Sequence, residues 1–586
     1  MMKRNCLALL YLALAAILYT GCQKEKTPWI PDPKEKEQEE EPELQPGEYL
    51  LPLIETTDLH GYIVSGTSGT IHYRLAYIAD KVNDIRGRGD AYAKDRLLLL
   101  DGGDIYQGAS VSNLLAGKPI YVALDRMGYD AVAVGNHEFD WDFETLVDPD
   151  ATMLDYEWEG QECVNAVPVL CANLYQNGER VPLTKDYVIV EKTAVNDHGE
   201  SIPVRVGIIG FAINYASSIM TSKFTGKGYS IREDYSIANE IAATLESSGQ
   251  CDATILLIHG AADDAAGDLG PDSAIDLVLG GHSHQTMTGT SGNGIAYLQG
   301  GRYGEHYASA CLKFSTENST ISFDGVVRAK TVSVDTNRDR HTTAGQNADD
   351  LEEDILAVSE YALEATAEQT GEVIGYITTD ANTYSIAGSA GRSCTMANWM
   401  CDIIRRIGEA DVAFVNGGGV RTVITLDGKS KRDITVANVY EMFPFSNTTY
   451  VYQITYAELL RVLEYSMTDA GVSLFTGMVG VNCYFSGYSV TMLSKDGEVI
   501  YQNKTWADDW GSRKLLLAVS EYLATNQRVD SYTGLKNPLL DWNDTSRLLY
   551  NDLVDNENAV RVLREEAATS GGHLYIDTAT HFLYVK

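Results

Sequence analysis

The hexapeptide Gly135-Asn136-His137-Glu138-Phe139-Asp140 sets an amide, an imidazole and two carboxylates directly after an apolar run at 131–134. An apolar run that short, closed by glycine, reads as a buried strand emptying into a polar loop. Asn136 offers an amide oxygen to a metal, His137 is placed to act on a substrate, and Asp140 is close enough along the chain to orient its ring. The same six residues would also make a plain turn in which His137 bonds only its neighbours. The rest of the chain decides between the two.

Other apolar runs end the same way. Residues 51–57 deliver Asp58 and His60, two apart at a strand end, so that both side chains can grip one cation. Residues 97–100 lead into Asp101, Gly102, Gly103 and Asp104, where the glycines admit a close ligand and Asp104 is a carboxylate able to bridge two metals. The run at 253–258 ends on His259, and the run at 277–279 on Gly280, Gly281, His282, Ser283 and His284. Any one of these histidines is as readily structural. Five strand tips in succession, each ending in Asp, Asn or His, converge on the edge where open α/β sheets bind ligands, and together they read as a two-metal site.

In this order, ETTDLHG, GGD, GNHEFD, the His259 segment and GGHSH resemble the metal-binding blocks of the calcineurin-like metallophosphoesterases over most of 50–310. The run is most similar to the secreted 5′-nucleotidase family, which includes UDP-sugar hydrolases and 2′,3′-cyclic nucleotide phosphodiesterases. The resemblance implies that Asp58, His60, Asp104 and His284 hold one divalent metal and Asp104, Asn136, His259 and His282 the other. Mixed nitrogen and oxygen ligands suit Zn, Mn, Fe or Co alike. Such a pair activates water for in-line attack on a phosphate ester. His137, oriented by Asp140, would stabilise the phosphoryl charge or protonate the leaving oxygen.

Downstream, 335–350 is polar and 351–367 carries helical periodicity with acidic residues outward, which reads as a linker and connecting helix or as a merely solvated face. Beyond it, Arg392 opens a stretch running into a helical pattern to 407, and an apolar run at 412–415 ends in Asn416-Gly-Gly-Gly-Val-Arg421. Glycines expose backbone amides and an arginine suits phosphate, although a glycine-rich turn with an incidental arginine looks the same. NGGGVR resembles the substrate loop of the nucleotidase carboxyl-terminal domain, which implies phosphate binding by Arg392 and Arg421 and nucleoside binding by Asn416. Phe445, in YEMFPFSN, is either a core residue or the family's base-stacking aromatic. A second such aromatic precedes a GGDGY-like loop in the family. Here Tyr522 lies near the expected place and GGDG is absent, so base and ribose recognition departs from the pattern.

Lys3 and Arg4 precede an apolar segment at 7–18 that ends at Gly21 and Cys22, a secretory signal resembling a bacterial lipobox, with a plain cleaved signal as the alternative. Residues 23–47, almost all Lys, Glu, Gln and Pro, form a solvated tether. Among 586 residues the formal charge is −37, which disfavours a nucleic-acid duplex as partner and requires any phosphate site to bring its own positive charge. Seven cysteines follow Cys22 without a CxxC, so cysteine is neither scaffold nor zinc cage.

The expected fold is α/β in two domains: a four-layer metallophosphoesterase sandwich at 48–335, a linker and connecting helix at 336–370, and a smaller α/β substrate domain at 371–586. The expected activity is that of an extracytoplasmic dinuclear-metal 5′-nucleotidase, lipid-anchored in the cell envelope, at the periplasm or outer-membrane surface. Its alternatives are a 2′,3′-cyclic phosphodiesterase/3′-nucleotidase, a UDP-sugar hydrolase, or a surface lipoprotein that binds ligand without turnover.

Overall fold

The computed structural model describes residues 44–585 except 68–69, 88–93, 142, 144–166, 215–222, 319, 335–351, 388, 445–446, 473–476, 488, 527–529 and 543–546. The expected signal, nearly all of the tether, the polar linker at 335–350 and Phe445 lie outside the described residues. Residues Gly47–Lys586 form one compact unit.

Three parallel strands carry the first ligand loops: Glu48–Thr56 (β1), Leu98–Asp101 (β2) and Ala131–Ala133 (β3). Tyr187–Val195 (β4) turns back antiparallel into Ser201–Ala212 (β5), alongside which Ala253–His259 (β6), Leu277–Leu279 (β7) and Ala296–Gly300 (β8) run parallel in that order. His306–Glu317 (β9) pairs antiparallel with β1, and Thr320–Ser333 (β10) lies on β9 as an edge strand. The two halves of this sheet are joined by one residue pair, Leu50 with Val195, between β1 and β4.

Side chains alternate between the faces of a strand. Leu51, Leu53, Leu98, Leu100, Ala131 and Ala133 of one half therefore meet Val204, Val206, Ile208, Ile255, Leu257, Leu277 and Leu279 of the other in a single buried cluster. Ile54, Leu99 and Val132 point the opposite way, against the helices Arg74–Arg86 (α1) and Lys118–Met127 (α2). Phe211, Leu256, Ile258 and Val278 pack on Ser236–Ser247 (α3) and Ala262–Asp268 (α4). The order is helix, sheet, sheet, helix. Strands covered on both faces must be apolar throughout, which is why they read as unbroken hydrophobic runs.

The helix after the linker, Glu353–Gly371 (α5), is not a solvated spacer: Ile355, Val358 and Ala362 join the cluster formed by α1 and α2. In the second domain Thr395–Ile407 (α6) packs on Val412–Val415 (β11), the second strand of a five-stranded sheet. A further five-stranded sheet, ending on Phe582–Tyr584, lies at the carboxyl end and left no clear signature in the sequence. Among the described residues, Cys171, Cys251, Cys394, Cys401 and Cys483 carry free thiols. No helix among the described residues is long and apolar enough to cross a membrane.

Candidate active site

Every expected metal ligand stands at the carboxyl end of a strand of the first domain. Asp58 and His60 follow β1, Asp104 follows β2, Asn136 follows β3, His259 closes β6, and His282 and His284 follow β7. Five of these residues hold left-handed backbone, with φ of 51° at Asp58, 48° at His60, 58° at Asp104, 67° at His282 and 59° at His284. Each such residue costs on the order of 1–3 kcal/mol and persists only where its surroundings dictate it. Interlocked loops supply that constraint: the Asp58 amide donates to the Gly103 carbonyl at 2.9 Å and the His60 amide to that of Asp104 at 2.9 Å. A Cβ at Gly135 would stand 2.2 Å from Asp104 Oδ1, so the β3 loop closes on Asp104 only as glycine.

The donor atoms fall into two groups about Asp104. Asp58, His60 and His284 form one, and Asp104, His259 and His282 the other, with ligand atoms in each group within 4.8 Å of one another. His60 Nε2 lies 3.2 Å from His284 Nε2, which lies 3.3 Å from Asp58 Oδ1; His259 Nε2 is 3.1 Å from Asp104 Oδ2. Ligands on a common cation with bonds of about 2.1 Å sit roughly 3.0–3.4 Å apart, so these spacings fit. Asn136 Oδ1 is 2.8 Å from His282 Nδ1, adding the amide to the second group.

The orientation of the rings supports the same reading. His60 Nδ1 donates to the Gln107 carbonyl at 2.9 Å and His259 Nδ1 to that of Gly102 at 2.6 Å, which turns both Nε2 atoms inward as lone-pair donors. Asp58 Oδ1 is fully buried and accepts no hydrogen bond, the condition of a carboxylate oxygen built for a cation. Burial holds His282 down at about 4 and His60 well below the ordinary histidine value, so both are neutral imidazoles. His259 differs: burial alone would lower it, but the Asp104 carboxylate pushes it up to about 10, placing a proton where a cation would stand between the same two groups.

His137 Nδ1 lies 2.6 Å from Asp140 Oδ2, which fixes the ring and leaves Nε2 facing Asp104 Oδ2 at 4.0 Å. That position puts His137 in a third cluster with His60 and Asp104, at the inner edge of the site. Burial opposes its charged form; Asp140 and then Asp104 outweigh burial and hold its pKa above the ordinary value. Glu138, assigned no role from the sequence, accepts the amides of Asp104 at 2.9 Å, Ile105 at 2.8 Å and Gly135 at 2.7 Å, and so ties the β2 and β3 loops together. Its place inside GNHEFD was the available signal.

The second domain closes over this cluster. A cavity of about 440 Å³ is lined by Asp104, Asn136, His137, Asp140, His282 and His284 from the first domain and by Asn416, Arg421, Asn447 and Tyr522 from the second. Asn113 Nδ2 and the Gln107 amide both donate to the Pro444 carbonyl, the former at 3.0 Å, pinning the two domains together beside it. Arg392 is not brought here: its guanidinium donates to the Ser466 carbonyl and lies over the Phe485 ring, 7% exposed, so of the two arginines expected at the phosphate Arg421 lines the cavity and Arg392 does not. Arg302 and Ser283 also line the cavity and were missed. The apolar residues Ile295, Tyr297 and Leu298 ahead of Gly300 and Gly301 carry the same strand-tip signature as the others.

A calcineurin-like phosphoesterase model matches residues 51–286 and a model for the carboxyl-terminal domain of 5′-nucleotidase matches 373–506. The chain thus joins a calcineurin-like phosphoesterase domain to a 5′-nucleotidase carboxyl-terminal domain. Protein UshA of Yersinia enterocolitica is 25% identical over 498 residues, covering 78% of this chain and 84% of the relative. The 5′-nucleotidase of Vibrio cholerae is 25% identical over 487 residues, covering 77% and 80%. The 5′-nucleotidase precursor of Thermus thermophilus superposes with a TM-score of 0.63 at 19% identity, over 92% of this chain and 99% of that one. A Thermus thermophilus sulfate thiohydrolase reaches 0.60 at 15% identity over 91% and 96%, so the fold by itself does not name the substrate. This chain is a metal-dependent phosphoesterase, and its His/Asp cluster is suited to the two divalent metals that calcineurin-like phosphoesterases use.

Proposed function

We propose that this phosphoesterase is a 5′-nucleotidase that releases phosphate from nucleoside 5′-monophosphates. The observation that carries the reading is the single cavity walled on one side by the metal-ligand loops and on the other by Asn416, Arg421 and Tyr522. Its volume, about 440 Å³, is that of a small-ligand site.

Asp58, His60, Asp104 and His284 would hold one metal and Asp104, Asn136, His259 and His282 the other; when bound, the pair supplies the Lewis acidity that activates water and neutralises phosphoryl charge. The chain's own residues do the rest. His137, held by Asp140, carries a proton at Nε2 towards the leaving oxygen or the phosphoryl group. Arg421, whose Nε donates to the Gly418 carbonyl at 2.7 Å, turns its remaining N–H groups to the phosphate. Asn416 serves the nucleoside, and Tyr522 offers a ring face to the base, with Phe445 as its counterpart.

Lys3, Arg4, the apolar segment and Cys22 support a lipid anchor in the cell envelope, where removal of phosphate yields an uncharged nucleoside. Fatty-acid labelling of the wild type that disappears in Cys22→Ser is the expected result for that anchor.

The substrate reading is tested by incubating the full chain, loaded with manganese or zinc, with AMP, 2′,3′-cyclic AMP and UDP-glucose in parallel. Phosphate and adenosine from AMP are expected. Preference for the cyclic nucleotide would make the enzyme a diesterase, and binding of all three without turnover would make it a ligand-binding lipoprotein.

A further inference from the structure

Arg302 follows β8, the neighbour of β7, so a sixth strand tip delivers a cation to the same edge as the metal ligands. Its Nη1 approaches His284 Nδ1 at 3.4 Å. Its ion-pair partner Glu305 stands at 3.9 Å, beyond hydrogen-bond reach, and is shared with Arg74, 3.7 Å from the other carboxylate oxygen. The Arg302 charge is therefore only loosely matched.

Tyr303 is the post between this arginine and the second domain. Its amide donates to the Asp58 carbonyl at 2.8 Å, its backbone is left-handed with φ of 55°, and its ring packs on that of Tyr62 at 4.5 Å. The Arg302 guanidinium lies over the same ring at 4.9 Å, while the Tyr303 hydroxyl accepts from Arg421 Nη1 at 3.5 Å. Two guanidinium groups, one from each domain, are thus held on one tyrosine anchored to a metal-ligand loop.

A phosphate monoester carries a charge of roughly −1.5 to −2. Two divalent cations and Arg421 already match that charge. In a chain of net charge −37, a further cation on the cavity wall is surplus for a monoester and complementary to a substrate with a second phosphate. We propose that Arg302, positioned by Tyr303, is a specificity residue that binds the second phosphate of a nucleoside diphosphate or its ester. The inference rests on the reading of the site as a nucleotide phosphoesterase.

The test compares the metal-loaded wild type with Arg302→Gln and Arg302→Lys on AMP and ADP. In Arg302→Gln the ratio of kcat/KM for ADP to that for AMP falls about tenfold, chiefly through KM for ADP, and Arg302→Lys recovers most of it. Calorimetric binding of ADP with a methylene bridge between its phosphates, referred to AMP binding, falls in the same proportion. An unchanged ratio overturns the proposal: a parallel loss on both ligands would make Arg302 a ligand of the transferred phosphate, and no loss on either a solvated rim residue. Should the wild type hydrolyse neither nucleotide, the nucleotidase reading fails, while the binding ratio still decides the role of Arg302.

Discussion

His137 and Asp140 meet at 2.6 Å in a buried setting, so the carboxylate sets both the direction and the charge of the ring. With its pKa held above the ordinary histidine value, His137 stays protonated further into the alkaline range. A group that acts as an acid loses activity as pH rises through its pKa. Asp140→Asn removes the charge that raises it, so the falling alkaline limb of kcat moves to lower pH and kcat drops on the order of 10²-fold. A pH profile of the variant checks this; an unmoved limb assigns the titration to another group. At this scale the sequence was most informative where chemistry and spacing coincide. The residues that the structure gathers into its Asp/His clusters, and the 137/140 pair, could be picked out because Asp, Asn and His cluster at strand ends. Arg392 could not be placed, because an arginine next to a helix start says nothing about whether it faces a cavity or the Phe485 ring.

Elements position these residues through their loops more than through the strands themselves. Glu138 gathers three amides from two loops, so it determines how Asp104 and Gly135 stand to one another. Glu138→Gln keeps the shape but turns an NH2 group towards at least one of those amides. We expect a loss of about 1–3 kcal/mol in stability, read by denaturant unfolding, with weaker metal affinity alongside. Stability and affinity equal to wild type would remove the clamp. The β runs were legible because burial on both faces leaves them wholly apolar, and α5 was placed by its periodicity. Its burial against α1 and α2 was not, since an acidic outer face is all that shows until the partner surface is known. The strand β8 escaped notice because its tip carries Arg and Tyr in place of metal donors.

For the molecule as a whole, function depends on two domains sharing one cavity. Behind the Asn416 loop the second domain buries Asp555, hydrogen-bonded by the Thr449 hydroxyl, and burial pushes its pKa up to about 8. An acid whose folded pKa is raised holds its proton more tightly when folded. Its contribution is full below the unfolded value near about 4 and is lost as pH rises towards 8. Thermal melts at pH 5 and pH 8 are expected to show a smaller drop for Asp555→Asn than for wild type; parallel drops would contradict this. The charge of −37 makes the local cations at the cavity the decisive feature of a phosphate site, and composition alone could state that need without saying where they stand. The central claim is that Asp104 serves both metal positions. Metal content by elemental analysis, with AMP turnover, in wild type and Asp104→Asn tests it directly. Two equivalents in the wild type, and loss of both ions together with at least about 10³-fold of kcat in a variant that still melts cooperatively, are expected. A variant that keeps two metals and most of its turnover would contradict the account.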